Sequence, residues 1–181
     1  FAGRMIKSKG VGVLMEAAKI LAARDVPLTI ELWGETDDGN PEAIPSATLA
    51  AWSDGVRTRF MGQTREVAKV WARADIFVLP AISREGMPRA LLEAASSARP
   101  LLVTDVPGCR HFVTDGVEGF VVPPGDAAAL ADALERLARD PDLRHRLGAA
   151  ARAKVLAGFT EAKVEDAVEA SYRAMVARRR G

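Results

Sequence analysis

Two sets of residues have the types and spacing for chemistry on an anionic molecule rich in hydroxyl groups. The first is residues 85–93, E-G-M-P-R-A-L-L-E. Pro88 suits the first position of a helix, where its missing N–H would have had no partner anyway. The amides of the next turn are then free, and with the helix dipole they favour an anion, diphosphate being the natural guest. Gly86 lets the backbone approach a ligand closely. Glu85 lies just before the helix and Glu93 inside it, about two turns apart. Ionised carboxylates so placed accept hydrogen bonds from several hydroxyls. The second set is the segment 3–10, G-R-M-I-K-S-K-G. Here Arg4 can bind a phosphate bidentately and Lys9 can act as a point charge, so the pair would neutralise a pyrophosphate and stabilise a departing nucleoside diphosphate. Lys7 is a third cation with no assigned role. Each feature also has a plainer explanation. Glu near a helix start complements the dipole, E-x7-E arises by chance, and a basic loop can simply be solvated.

What decides between these readings is where the elements put the residues. Residues 1–2 read as the end of a strand whose beginning is missing, which makes the chain a fragment of a longer protein. The segment 3–10 is then a loop. Val13, Leu14, Ala17, Ala18, Leu21 and Ala22 recur at helical spacing, with Pro27 as a stop. Residues 28–33 form a buried strand, 35–45 a polar loop with two prolines, and 46–53 a short helix. Strands follow at 56–61, 76–79, 101–104 and 119–122. Helices are expected at 65–73 and 88–97, with a turn of helix or an extended piece at 111–114. From Asp126, which can cap a helix whose face is Leu130, Leu134 and Leu137, the chain is helical almost to its end. The next helix, 140–156, carries Leu143, Leu147, Ala150 and Val155. The last, about 160–178, carries Val164, Val168, Tyr172 and Met175 on one face. Unbroken apolar strands between helices indicate an α/β domain, a parallel sheet flanked by helices in three Rossmann-like layers. Ligands of such sheets sit beyond the carboxyl ends of the strands. The loops 3–10, 34–45, 62–64, 80–88 and 105–110 are therefore the places to look.

Composition narrows the function classes. The 181 residues make about one domain, 49% hydrophobic and 27% charged, with net charge +1; this balance gives no electrostatic case for nucleic acid. The one cysteine, Cys109, cannot form an internal disulfide, and a reducing cytosol fits that. No apolar run approaches the roughly 18 residues of a membrane span. The expectation is a cytoplasmic protein. Residues 178–180, three arginines, fit either peripheral contact with an anionic membrane surface or, more simply, a solvated helix end.

Taken in order, G-R-x4-K-G at 3–10, L-P-x3-R-E-G-x-P-R-x-L-L-E-A at 79–94, T-D-V-P-G-C-R at 104–110 and D-G-V-E-G-F-V-V-P at 115–123 resemble the C-terminal, donor-binding domain of family 4 glycosyltransferases. The element W-G-E-x-D-D-G-N-P at 33–41 resembles the branch that acts in bacterial surface-polysaccharide assembly. The resemblance implies half of a GT-B architecture and a retaining, metal-independent transfer from a nucleotide-sugar. That donor is a substrate, so no cofactor is expected. It makes Glu85, Arg4 and Lys9 the catalytic set, with Arg4 and Lys9 on the diphosphate and Glu85 on sugar hydroxyls. The backbone of Gly86, Met87 and Pro88 would line the sugar and phosphate. Leu92 would sit near the ribose, Glu93 would bind its hydroxyls, and Gly62, Gln63 and Thr64 would edge the base pocket. A UDP-sugar is the favoured donor, ahead of GDP- or ADP-sugars. The acceptor, a polysaccharide or a lipid-linked saccharide, would bind a missing N-terminal domain, so the isolated chain would hold the donor without turning it over.

Many family members carry Glu where this chain has His111, which weakens any role taken over from that Glu. His111 and His145 are read as packed or surface residues, and Cys109 as a small buried thiol. Two alternatives stay open. One is a nucleotide-sugar 2-epimerase of the same fold, which needs more acid–base residues around the sugar than two histidines supply. The other is a non-catalytic nucleotide- or partner-binding domain.

Overall fold

The computed structural model describes residues 1–179. A 3₁₀ turn at Lys7–Lys9 passes through Gly10 into α1 (Val11–Ala23). There follow β1 (Ile30–Trp33), α2 (Ser46–Trp52), β2 (Thr58–Gly62), α3 (Val67–Arg73) and β3 (Phe77–Leu79). Next come α4 (Arg89–Ser96), β4 (Leu101–Thr104), α5 (Pro107–Arg110) and β5 (Gly119–Val122). Three longer helices close the chain: α6 (Ala127–Arg139), α7 (Pro141–Gly158) and α8 (Glu161–Arg179). The alternation of strand and helix is the expected one. Neither the turn of helix nor the extended piece expected at 111–114 forms; a turn of helix lies earlier, at α5, where Pro107 takes the first position with a backbone already set for a helix. Phe112 and Val113 instead pack into the core as irregular chain.

Every strand pairing is parallel: β1 with β2, β3 with β4, and β4 with β5. The expected single sheet falls into two ladders, β1–β2 and β3–β4–β5. Phe1 and Ala2 run beside β1, with Trp33 N donating to Phe1 O and Gly3 N to Trp33 O. A groove of about 310 Å³ is lined by Phe1, by Ile30 of β1, by Trp71 of α3 and by Val78 of β3.

β3 and β4 are buried along their whole length, as unbroken apolar strands covered on both faces must be. α1 packs on α6, α4 on α7, and both α6 and α7 contact β4 and β5. Leu130, Leu134 and Leu137 of α6 are buried as expected; on α7 it is Ala151, rather than Ala150, that joins Leu143, Leu147 and Val155. Asp126 and Asp140 cap these helices, accepting from Ala129 N at 2.9 Å and Leu143 N at 2.8 Å. The apolar face of α8 differs: Val164, Val168, Tyr172 and Met175 are all exposed, between 49% and 62%. Among the described residues nothing covers them. The side chains of residues 178–180 lie outside the described residues. No described helix is long and apolar enough to cross a membrane.

An ion pair with a buried carboxylate joins the turn before β5 to α7. The Glu118 carboxylate accepts from Thr114 N at 2.7 Å and meets Lys154 Nζ at 2.9 Å, with its side chain 7% exposed. Replacing Glu118 by Ala leaves an ammonium without its partner and should cost about 3 kcal/mol or more. Removing the exposed cap with Asp126→Ala should cost only about 1 kcal/mol. Urea unfolding measures both, and equal losses would contradict this ranking.

Candidate functional site

A cleft of about 690 Å³ opens at the carboxyl ends of the strands, where a parallel sheet offers its ligand positions. Its volume is that of a small-molecule site. It brings together Arg4 and Lys9 from the first loop, Gln63 and Thr64 after β2, and Pro88 and Glu93 at the start of α4. These six sequence-predicted residues come from three separate segments of the chain, so the fold alone puts them side by side.

The wall at α4 is built by backbone. Pro88 is the residue before the helix, one place earlier than expected, and Arg89 is its first member. The reason is local: Pro88 keeps an extended ψ of 123° while its carbonyl already accepts from Leu91 N at 3.1 Å. The amides of Arg89 and Ala90 have no backbone acceptor among the described residues, as the first turn of a helix requires. Both residues line the cleft. Glu93, one turn on, is half-buried, and its carboxylate has no hydrogen-bond or ion-pair partner among the described residues.

The two predicted cations are both held by carboxylates. Lys9 Nζ lies 2.8 Å from each oxygen of Glu85, with the two side chains only 17% and 15% exposed. Arg4 Nη1 lies 2.9 Å from Asp37 Oδ2, and this pair is more open, with Arg4 60% exposed. Asp37 belongs to the polar segment 35–45, which straps along the first loop. Met5 N donates to Glu35 O, Lys7 N to Glu42 O and Ile44 N to Met5 O, and the Ser8 hydroxyl donates to the Glu42 carboxylate.

Not every predicted residue lines the cleft. Glu85 reaches it only through Lys9. Gly86 and Met87 are exposed at its mouth. Leu92 is half-buried against the core, on a side of α4 away from the lining. Gly62 stands behind Gln63, its carbonyl accepting from Gly34 N at 2.9 Å. Lys7 lines a different cavity, between α1 and α2. His111 and His145 are exposed, and Cys109 is buried. Burial pushes the Cys109 thiol up to about 12, and the negative charge of Glu85 adds to the effect. Sequence reasoning missed Trp33, Arg89 and Asp37. Trp33 and Arg89 line the cleft, and their positions at a strand end and a helix start were a usable signal. For the tether from Asp37 the signal was the polar loop and the W-G-E-x-D-D-G-N-P element, neither of which names a partner.

Comparison with known proteins follows the same outline. Residues 1–140 match the family described as glycosyl transferases group 1, and the chain belongs to that family. Among curated relatives, it is 25% identical to the capsular polysaccharide biosynthesis glycosyltransferase CapM of Staphylococcus aureus, over 95% of this chain and 44% of that protein. Among solved structures, it superposes on Anabaena Alr3699/HepE in complex with UDP at a TM-score of 0.84, with 20% identity over 96% of this chain and 47% of that one. The same protein is also solved with UDP-glucose. The C-terminal domain of the group 1 family protein LpcC from Francisella tularensis matches at a TM-score of 0.71, with 22% identity over 88% of this chain and 84% of that one. The fold is that of a GT-B C-terminal domain. The chain spans less than half the length of the curated relatives it matches.

The Lys9–Glu85 pair can be probed through stability. Lys9→Met leaves a carboxylate that is largely buried without its cation and should destabilise by about 2–4 kcal/mol. Adding Glu85→Gln should restore most of the loss, because neither charge then stands alone. Denaturant unfolding of both variants measures this; a double variant no more stable than Lys9→Met would show that the pair matters for packing rather than charge.

Proposed function

We propose that this chain is the donor-binding half of a retaining glycosyltransferase that moves a sugar from a nucleotide-sugar, a UDP-sugar first, to a polysaccharide or lipid-linked acceptor. The observation behind this reading is the convergence in one cleft of two cations, the free amides of α4 and the unpaired Glu93 carboxylate. The cations and amides suit a diphosphate. The carboxylate suits the vicinal hydroxyls of a ribose. The fold shared with HepE, which is solved with UDP and with UDP-glucose, supports the uridine choice. The name of CapM supports a polysaccharide product.

In this reading Arg4 and Lys9 hold the diphosphate and stabilise it as it departs, without a metal ion. Lys9 starts on Glu85 and turns to the phosphate, and the freed Glu85 carboxylate accepts hydroxyls of the donor sugar. The backbone at Gly86, Met87 and Pro88 then borders the sugar, Leu92 backs the ribose, and Gln63 and Thr64, with Gly62 behind them, face the base. The acceptor binds a further part of the full-length enzyme, at the cytoplasmic face of the membrane when it is lipid-linked. The chain alone binds donor without turnover.

Calorimetric titration with UDP, GDP, ADP and UDP-glucose tests the site. UDP should bind most tightly, and binding of none of the four would sink the reading. Glu93→Ala should weaken UDP by about tenfold or more, the worth of one or two hydrogen bonds to a charged group. Glu85→Ala should weaken UDP-glucose chiefly; equal losses for UDP and UDP-glucose would contradict the division of roles.

A further inference from the structure

The segment 104–110, T-D-V-P-G-C-R, has no part in the donor contacts above, yet it presses directly on the loop that supplies them. A Cβ placed on Gly108 would lie 1.6 Å from Gly86 O and 2.5 Å from Glu85 O. Backbone therefore meets backbone, with no flexible side chain between them. Gly108 does not have a positive φ, so its conformation is open to any residue, and only this approach demands glycine.

The rest of the 80–88 loop is tied at its first half. Pro80 O sits against Gly10, Ala81 O accepts from the buried Thr104 hydroxyl at 2.5 Å, and Ile82 N donates to Ser8 O at 2.9 Å. The second half has two restraints, the Lys9–Glu85 side-chain pair and the contact with Gly108. On its outer side, Gly86 has open space where a Cβ would stand. Packing decides which partner yields under pressure. α5 rests on Val106, Cys109 and Phe112, all buried, whereas Gly86 and Met87 are exposed.

We propose that Gly108 is a positioning residue: α5 is a backstop that fixes the carbonyls of Glu85 and Gly86, and through them the Glu85 carboxylate and the Met87 backbone. The assignment rests on the donor-site reading for its ligand, and on geometry alone for its effect on the loop. Gly108→Ala pushes the loop outward from α5. The sugar-facing half of the site then suffers, while Arg4, Gln63, Thr64 and Glu93 stay in place.

The experiment compares Gly108→Ala with Gly148→Ala. The second makes a similar collision, 2.1 Å from Ala98 O, but on α7. Backbone NMR order parameters of residues 85–87 are read with calorimetry for UDP and UDP-glucose. In Gly108→Ala, the order parameters should fall clearly below the parent's, toward the flexible range under about 0.6, and UDP-glucose should weaken about tenfold more than UDP. Gly148→Ala should lose stability with neither effect. Pro107→Gly loosens α5 without adding volume and should lower the same order parameters, which keeps the test alive if Gly108→Ala does not fold. Unchanged order parameters at 85–87 in the folded variants overturn the proposal. So does an unchanged ratio of UDP to UDP-glucose affinity in Gly108→Ala where the parent binds both. If the parent binds neither nucleotide, the donor reading fails and the order parameters alone decide the role of Gly108.

Discussion

The constraint on which this structure depends is the close approach of backbone to backbone at glycine. Gly34 lies against Gly3 O, Gly10 against Pro80 O and Gly108 against Gly86 O, each at a distance that no Cβ could occupy. All three contacts join loops at the carboxyl ends of strands. Those loops would otherwise be separate excursions, each anchored only by its own strand. Seamed together without intervening side chains, they bring Lys9 of the first loop within reach of Glu85 in the fourth, and Arg4 within reach of Asp37 in the second. Strand order sets the neighbourhood, and the glycine contacts set the distances within it.

Electrostatics follows from that closeness. Lys9 and Glu85 share a site largely shielded from water, and Arg4 is balanced by Asp37. Neither cation is therefore left facing another of its kind across the narrow first loop. Glu93 stands unpaired on the far wall, beside helix amides that carry partial positive charge. The cleft lining thus mixes both signs, with Arg4, Lys9 and Arg89 set among Glu35 and Glu93.

Much of this fold was legible in the sequence. β3 and β4 are apolar throughout, and such runs between helices leave little choice but a covered parallel sheet. The loop rule then pointed to the loops that hold Arg4, Lys9 and Pro88, the spacing from Glu85 pointed to Glu93, and the family resemblance supplied Gln63 and Thr64. The ion pairs were not legible. Lys9 and Glu85 are separated by 76 residues and Arg4 and Asp37 by 33, and no local pattern reports a contact across such intervals. The place of Pro88 was off by one, since its fixed φ serves equally before a helix or at its start. The face of α8 shows a further limit. Helical spacing tells which side of a helix is apolar, but not whether anything in the chain covers it.

The all-parallel pairing bears on how the chain reaches this state. No strand is joined to its partner by a tight hairpin, and every ladder closes a loop that includes a helix or a long connection. There is thus no local nucleus from which the sheet can zip. The entropy of closing a crossover must be met before any ladder bond rewards it, which makes such sheets slow to form. β4 and β5 have the shortest interval and the most compact connection, held by the Glu118–Lys154 pair and the α5 turn. By loop-closure entropy theirs is the least costly ladder to close, and it lies beneath the two helices, α6 and α7, that cover the sheet.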